Sequence, residues 1–304
     1  MGVVVASEDT VSIEKLYEQV RNASPAAATA TSHVVEQVAP GIRVLALRTP
    51  TLPPAAHTNV YLVGPDRGPV VAVDPGSPYP EEQAALDAVL AEVPIAAIAL
   101  THHHGDHIGG ATALAARWGA PIVAHAATAR RLEGIVEVTR ELADGETIHG
   151  MTCVHTPGHA EGHLCFEVAG AAATIAGDMV AGIGTILIDP SEGDMALYLA
   201  SLEALLARPA ATLLPAHGPA IADGPAKLRE YLAHRRMRED RVLGSLGDTP
   251  RTLAELVAVA YADTPRMLWP LAERSLRAHL DKLVNEGRAA LDDGANGQRW
   301  SVRL

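Results

Sequence analysis

Aromatic side chains are nearly missing from this chain: they make up 3% of its 304 residues, with a single Phe. Rings that could stack on bases are too few for a single-strand binding platform, so Val, Leu, Ile and Ala must fill the core. Cysteine is as scarce, with only Cys153 and Cys165, which excludes a disulfide framework. Both lie in apolar, strand-like segments and read as buried free thiols. Positive charge is outnumbered: a formal net charge of -12 repels a phosphate backbone and argues against tight, sequence-independent nucleic-acid binding by the whole surface. No apolar run reaches the length of a membrane span. The opening MGVVVASEDTVSIEK lacks the basic start and long apolar stretch of a secretory signal, so a cytoplasmic location is expected.

What is present describes a folded protein. Hydrophobic residues reach 48%, with Gly 26 and Pro 21, a globular composition rich in turns, and the length suffices for a large domain plus a small one. Ser12 to Ala23 has the spacing of an amphipathic helix and runs into an Ala, Thr and Ser-rich stretch, so residues 1–33 read as an N-terminal arm. From Val34 the pattern turns to short strands, Ile42 to Leu47, Val60 to Val63 and Val70 to Val73. The Pro-rich loop from Thr49 to Thr58 separates the first two. A helix over Glu81 to Val93, a strand over Ile95 to Leu100, a helix over Ile108 to Gly119 and a strand over Pro121 to Ala124 follow, the alternation of an α/β fold. Strands are expected again at Met151 to Val154 and Ala173 to Ala176, and helices at Leu197 to Ala207 and Pro225 to Leu246. The first domain spans residues 34–247. Beyond Gly247, DTPRT reads as a boundary, and residues 248–304 follow the order helix, helix, hairpin: Leu253 to Ala262, Pro270 to Glu286, then Arg288 to Leu291 and Gln298 to Val302.

The densest chemistry is THHHGDHIGG, residues 101–110, between a strand and a helix. On the extended segment His102 and His104 point to the same side and can share one ion, while His103 points away. Asp106 and His107 open the helix, where a carboxylate is favoured, and can reach a second ion beside the first. Imidazole with carboxylate suits zinc and tolerates iron or manganese. Further candidates stand at strand ends: Asp74 in AVDPG, His159 in HTPGHAEGH with His155 and His163 as supporting or surface histidines, Asp178 in AGDMV, and His217 in LLPAHGP.

The stretch resembles the His-x-His-x-Asp-His signature of the metallo-β-lactamase fold superfamily, and the resemblance covers nearly the whole chain. It implies an αββα sandwich of the α/β class. It also implies a pair of metal ions, one on His102, His104, His159 and Asp178, the other on Asp106, His107, His217 and the shared Asp178. Asp74 matches an aspartate that orients a metal-bound histidine, and Asn59 a position expected to meet substrate. Ala160 stands where many relatives carry a hydroxyl. The C-terminal part looks like the β-lactamase-associated winged helix, and Tyr231, His234, Arg235, Arg238 and Glu239 are similar to the YxxHRxxRE segment of hydrolases related to β-lactamase-like protein 2. The DNA-reading role of such a shape is disfavoured, because Arg274, Arg277, Lys282 and Arg288 are diluted by Glu273, Asp281 and Glu286.

These expectations amount to a dinuclear zinc hydrolase. Its nucleophile is a water whose pKa the ions lower, Asp106 orients it, and its substrate is a small ester or thioester. Two alternatives stand beside it: an endoribonuclease acting on single-stranded RNA, and a metal-binding scaffold without turnover whose output is the winged helix. The short span from Asp178 to His217 leaves no room for the inserted domain of β-CASP nucleases. A homo-oligomer is left open.

Overall fold

The computed structural model describes residues 33–303 apart from 92, 210, 295 and 296, together with Lys15, Glu18 and Gln19. The expected helix from Ser12 to Ala23 falls almost wholly outside the described residues.

Alternation along the strands sets the architecture. In β3 (His57–Val63) and β4 (Val70–Val73), Val60, Leu62, Val70 and Ala72 turn to one side, and Tyr61, Val63, Val71 and Val73 to the other. All eight are buried. Strands apolar on both faces must be covered on both. They belong to a seven-stranded sheet in which β1 (Glu36–Ala39), β2 (Ile42–Arg48), β3, β4, β5 (Ile95–Ala99), β6 (Ile122–His125) and β7 (Arg140–Leu142) are neighbours in chain order. Pairing is antiparallel up to β4 and parallel beyond it.

The outer face packs under α1 (Pro80–Leu90), α2 (Gly105–Ile108) and α3 (Ala111–Trp118) through Leu86, Leu90, Ile108 and Leu114. The inner face meets a five-stranded sheet of β8 (Thr147–Ile148), β9 (Met151–His155), β10 (Leu164–Val168), β11 (Ala173–Gly177) and β12 (Thr212–Pro215), ordered β12-β11-β10-β9-β8. Met151, Cys153, Leu164, Phe166 and Ile175 fill the space between the sheets. Beyond this second sheet, Val154, Cys165 and Ala176 pack against Tyr198 and Leu202 of α5 (Met195–Leu206) and Leu228 and Tyr231 of α6 (Gly224–Ser245). The layers are therefore helix, sheet, sheet, helix. A short α4 (Ala126–Arg131) follows β6. No helix among the described residues is long and apolar enough to cross a membrane.

The helix expected over Ile108 to Gly119 is two pieces, α2 and α3, parted at Gly109 and Gly110. The turn after β4 runs against that break: Gly110 N–H donates to the Pro75 carbonyl at 2.9 Å. A Cβ on Gly76 would lie 1.7 Å from the Asp106 carbonyl oxygen. Backbone touches backbone there, which only glycine permits.

At the C-terminus α7 (Leu253–Ala260), α8 (Trp269–Asn285) and the hairpin of β13 (Ala289–Gly294) and β14 (Gly297–Val302) enclose a core of Leu256, Val257, Leu276, Leu280, Leu283 and Trp300. Thr252 and Glu255 form a reciprocal capping box at the start of α7. Val242 of α6 joins this core, and Ala278 of α8 joins the core under α5 and α6. The winged helix is thus packed onto the outer helical layer rather than tethered beside it.

Candidate functional site

Each candidate residue sits where a strand stops. β4 delivers Asp74, β5 delivers Thr101 and His102, β9 leads to His159, β11 to Asp178 and β12 to His217. These ends gather at one edge of the sandwich, the side on which open α/β sheets present ligands. The left-handed backbone at Asp74 (φ 52) turns the chain sharply away from β4.

Three imidazole nitrogens converge on one point. His102 Nε2 and His104 Nδ1 are 2.8 Å apart, His159 Nε2 is 3.3 Å from the first and 3.0 Å from the second. Beside them Asp106, His107 and His217 form a second group that could hold an ion. His217 Nε2 lies 3.5 Å from Asp106 Oδ2, and His107 Nε2 lies 3.9 Å from Asp106 Oδ1. Asp178 stands between the groups: its Oδ2 is 3.5 Å from His159 Nε2, and its Oδ1 is 3.4 Å from His217 Nε2 and 3.7 Å from His107 Nε2. Buried His107 Nε2 and Asp178 Oδ1 have no hydrogen-bond partner. Orphaned polar atoms this deep are costly unless a cation lies between them, so the donors fit a bound metal ion.

The far side of each ring is held. His107 Nδ1 donates to Asp74 Oδ2 at 2.8 Å, His104 Nε2 to Glu192 Oε1 at 2.8 Å, His159 Nδ1 to the Leu187 carbonyl at 2.9 Å and His217 Nδ1 to the His57 carbonyl at 2.9 Å. Such bonds fix the tautomer and leave the facing nitrogen with a lone pair. Asp74 is also saturated by the Thr101 N–H at 2.8 Å and hydroxyl at 2.6 Å. Burial, reinforced by the His104 imidazole, pushes His159 down to about 4, so it is neutral at pH 7. Burial works in the same direction on His107, but the carboxylates of Asp106, Asp74 and Asp178 outweigh it and lift the imidazole well above its ordinary value. The field at this position thus favours positive charge.

Some placements were not legible. Glu192 also accepts from His103 Nε2 at 3.0 Å, so His103 points away from the His102–His104 pair and into the carboxylate that supports it. His163 is buried, and its Nε2 accepts the Asp178 N–H at 3.1 Å while Nδ1 meets the Thr156 hydroxyl at 2.8 Å. His155 stacks on His125 with ring centroids 4.1 Å apart. Asn59 is not among the cavity-lining residues. Its Nδ2 donates to the carbonyls of Pro215 at 2.9 Å and Gly218 at 2.8 Å, clasping the turn that carries His217.

A cavity of about 700 Å³ opens over the cluster. Its floor includes His104, Asp106, His159, Asp178 and His217, and one wall is the loop of Thr51, Leu52, Pro53 and Pro54. The opposite wall comes from α6 and the winged helix, through Arg235, Leu268, Leu271 and Ala272. One fold thus closes the site with parts of both regions.

The pattern of the "Metallo-beta-lactamase superfamily" matches residues 53–217. The chain belongs to the metallo-β-lactamase superfamily. The pattern of the "Beta-lactamase associated winged helix domain" matches residues 252–300. Similar chains within the metallo-β-lactamase superfamily include an atrochrysone carboxyl ACP thioesterase of Claviceps purpurea, 29% identical over 88% of this chain and 87% of its own. A beta-lactamase-like protein 2 homolog of Drosophila melanogaster is 28% identical over 79% of this chain and 86% of its own. A beta-lactamase domain protein from Burkholderia ambifaria has the same fold, with a TM-score of 0.77 over 91% of this chain and 96% of its own at 21% identity. The chain is a hydrolase of this superfamily.

Proposed function

We propose that this metallo-β-lactamase-fold hydrolase works with two divalent ions, zinc foremost, and cleaves a thioester or related ester. The observation that carries the reading is Asp178 Oδ1 facing His107 Nε2 across 3.7 Å, both buried and both without a partner. His102, His104 and His159 would hold one ion and Asp106, His107 and His217 the other, with Asp178 between. Bound there, the ions supply Lewis acidity and lower the pKa of water toward neutrality. Iron or manganese would suit the same donors less selectively.

The protein's own groups do the rest. Asp106 faces the cavity and is the carboxylate placed to orient the attacking water and take its proton. Asp74 and Glu192 keep the protons of His107 and His104 on the outer nitrogens. Pro53, Ile183, Ile186 and Leu271 give the cavity apolar walls, which suit an acyl chain and keep bulk water from the scissile carbonyl. The thioesterase named among the relatives supports the choice of bond.

Elemental analysis of the purified protein, run beside hydrolysis of a thioester, a lactone, nitrocefin and single-stranded RNA, tests this reading. About two zinc ions per chain with thioester turnover is the expected result. A single iron, or RNA cleavage with inert thioesters, would overturn it.

A further inference from the structure

Arg235, on the α6 wall of the cavity, is 3% exposed. Among the described residues no carboxylate lies within ion-pair distance of it. Its Nη2 donates to the Ile186 carbonyl and stands 3.5 Å from Thr185 Oγ1, and its Nε, also buried, has no partner. The guanidinium lies over the Tyr198 ring at 5.3 Å. Nearby acids are already committed. Asp263 pairs with Arg238 at 2.8 Å and with Arg241 at 2.5 Å, Glu239 with Lys282 and Arg288 at 2.7 Å each, and Asp189 with Arg274 at 2.6 Å. His234, held below its ordinary value by burial and then by Arg235 and Arg238, and the Asp263-paired Arg238 line the same wall, so Arg235 is its unmatched cation.

A buried cation without a counter-charge is costly, and proteins seldom keep one unless something anionic arrives to meet it. A guanidinium is suited to grip a carboxylate or phosphate. The structure assigns Arg235 as an anion-binding subsite of the cavity, which recognises a carboxylate or phosphate carried by the substrate away from the bond that is cut. The assignment builds on the hydrolase reading above and narrows its substrate to an anionic one. The oxyanion can come from either end of a thioester: a carboxylate on the acyl group or a phosphate on the thiol carrier.

The test compares wild type with Arg235→Gln at equal metal content on four thioesters, butyryl and glutaryl groups each on N-acetylcysteamine and on coenzyme A. A wild-type preference of about tenfold or more, expressed chiefly in KM, is expected for one anionic arm. Glutaryl over butyryl places the anion on the acyl group, and coenzyme A over N-acetylcysteamine places it on the carrier. In Arg235→Gln that preference falls to about one. Absence of both preferences in wild type, retention of the preference in the variant, or an equal loss on all four substrates would overturn the subsite. Should Arg235→Gln fail to fold, Arg235→Lys is measured instead and should show an intermediate preference. If wild type cleaves none of the four, calorimetric titration with glutarate and with inorganic phosphate separates the two ideas. Tighter binding by wild type than by the variant keeps the subsite while the thioester reading falls, and equal affinity removes the subsite as well.

Discussion

At the scale of single residues, the site depends on groups that have no use for their position except together. Asp178→Ala should leave about one ion per chain by elemental analysis and lower turnover at least about 100-fold, whereas two ions and full turnover in this variant would sink the shared-carboxylate arrangement. The seven histidine and aspartate positions with ligand character were legible because each stands beside a strand end or within one short turn. Glu192 was not: it lies 88 positions from His104, whose ring it holds, in a loop with no periodic signal. Arg235 was legible as one cation in a mixed run, but its isolation depends on which acids the fold gives to its neighbours. The cysteines matched their bland reading. Burial raises Cys153 to about 11 and Cys165 to about 12, so neither thiol should react with iodoacetamide in the native protein at pH 7.

His279 gives a pH prediction at the same scale. It is buried with neither ring nitrogen satisfied. Burial first, then the charges of Arg235, Lys282, Arg238 and His234, depress it to about 3, although Glu239 Oε2 lies 3.9 Å away. Between that value and the unfolded value near 6.5, the unfolded chain binds a proton that the folded chain refuses. Stability is therefore held above about pH 6.5 and lost as pH falls, by up to about 1.4 kcal/mol per pH unit. Denaturant melts of wild type and His279→Leu from pH 7 to 4 should show the variant losing less, and parallel losses would refute the assignment.

Among elements, long periodic helices and alternating strands read correctly from the sequence because their signal is repeated many times. The two-residue β8 and three-residue β7 carry too few positions for a pattern. The break between α2 and α3 is set by tertiary contact with the Asp74 turn, invisible to local periodicity. That contact makes Gly76 a hinge point of the site: Gly76→Ala should displace the Asp106 backbone and reduce metal retention on dialysis, with a melting point lower than wild type. In the winged helix, Thr252→Ala removes the capping hydroxyl that accepts the Glu255 N–H at 3.3 Å and should cost about 1 kcal/mol, measured by denaturant unfolding.

For the whole molecule, four cations of the winged helix are engaged by carboxylates of the chain. Arg274 is held by Asp189, Arg277 by Asp281, and Lys282 and Arg288 by Glu239. These four are not free to meet a phosphate backbone, so binding of a random RNA should be weak and lack the steep salt dependence of counterion release. The clamp on Asp189 does more. Arg274 grips both its oxygens at 2.6 Å, and the Asp189 carbonyl accepts the N–H of Glu192 at 3.2 Å, whose carboxylate steadies His104. The tail therefore connects through Asp189 and Glu192 to the candidate ligand His104, and for the proposed ions reciprocity would hold: whatever factor docking adds to metal affinity, metal adds to docking. On the two-ion reading, chelation should speed amide exchange in α8, which starts 52 positions after His217 in sequence (269 − 217), and Arg274→Ala should shed metal faster.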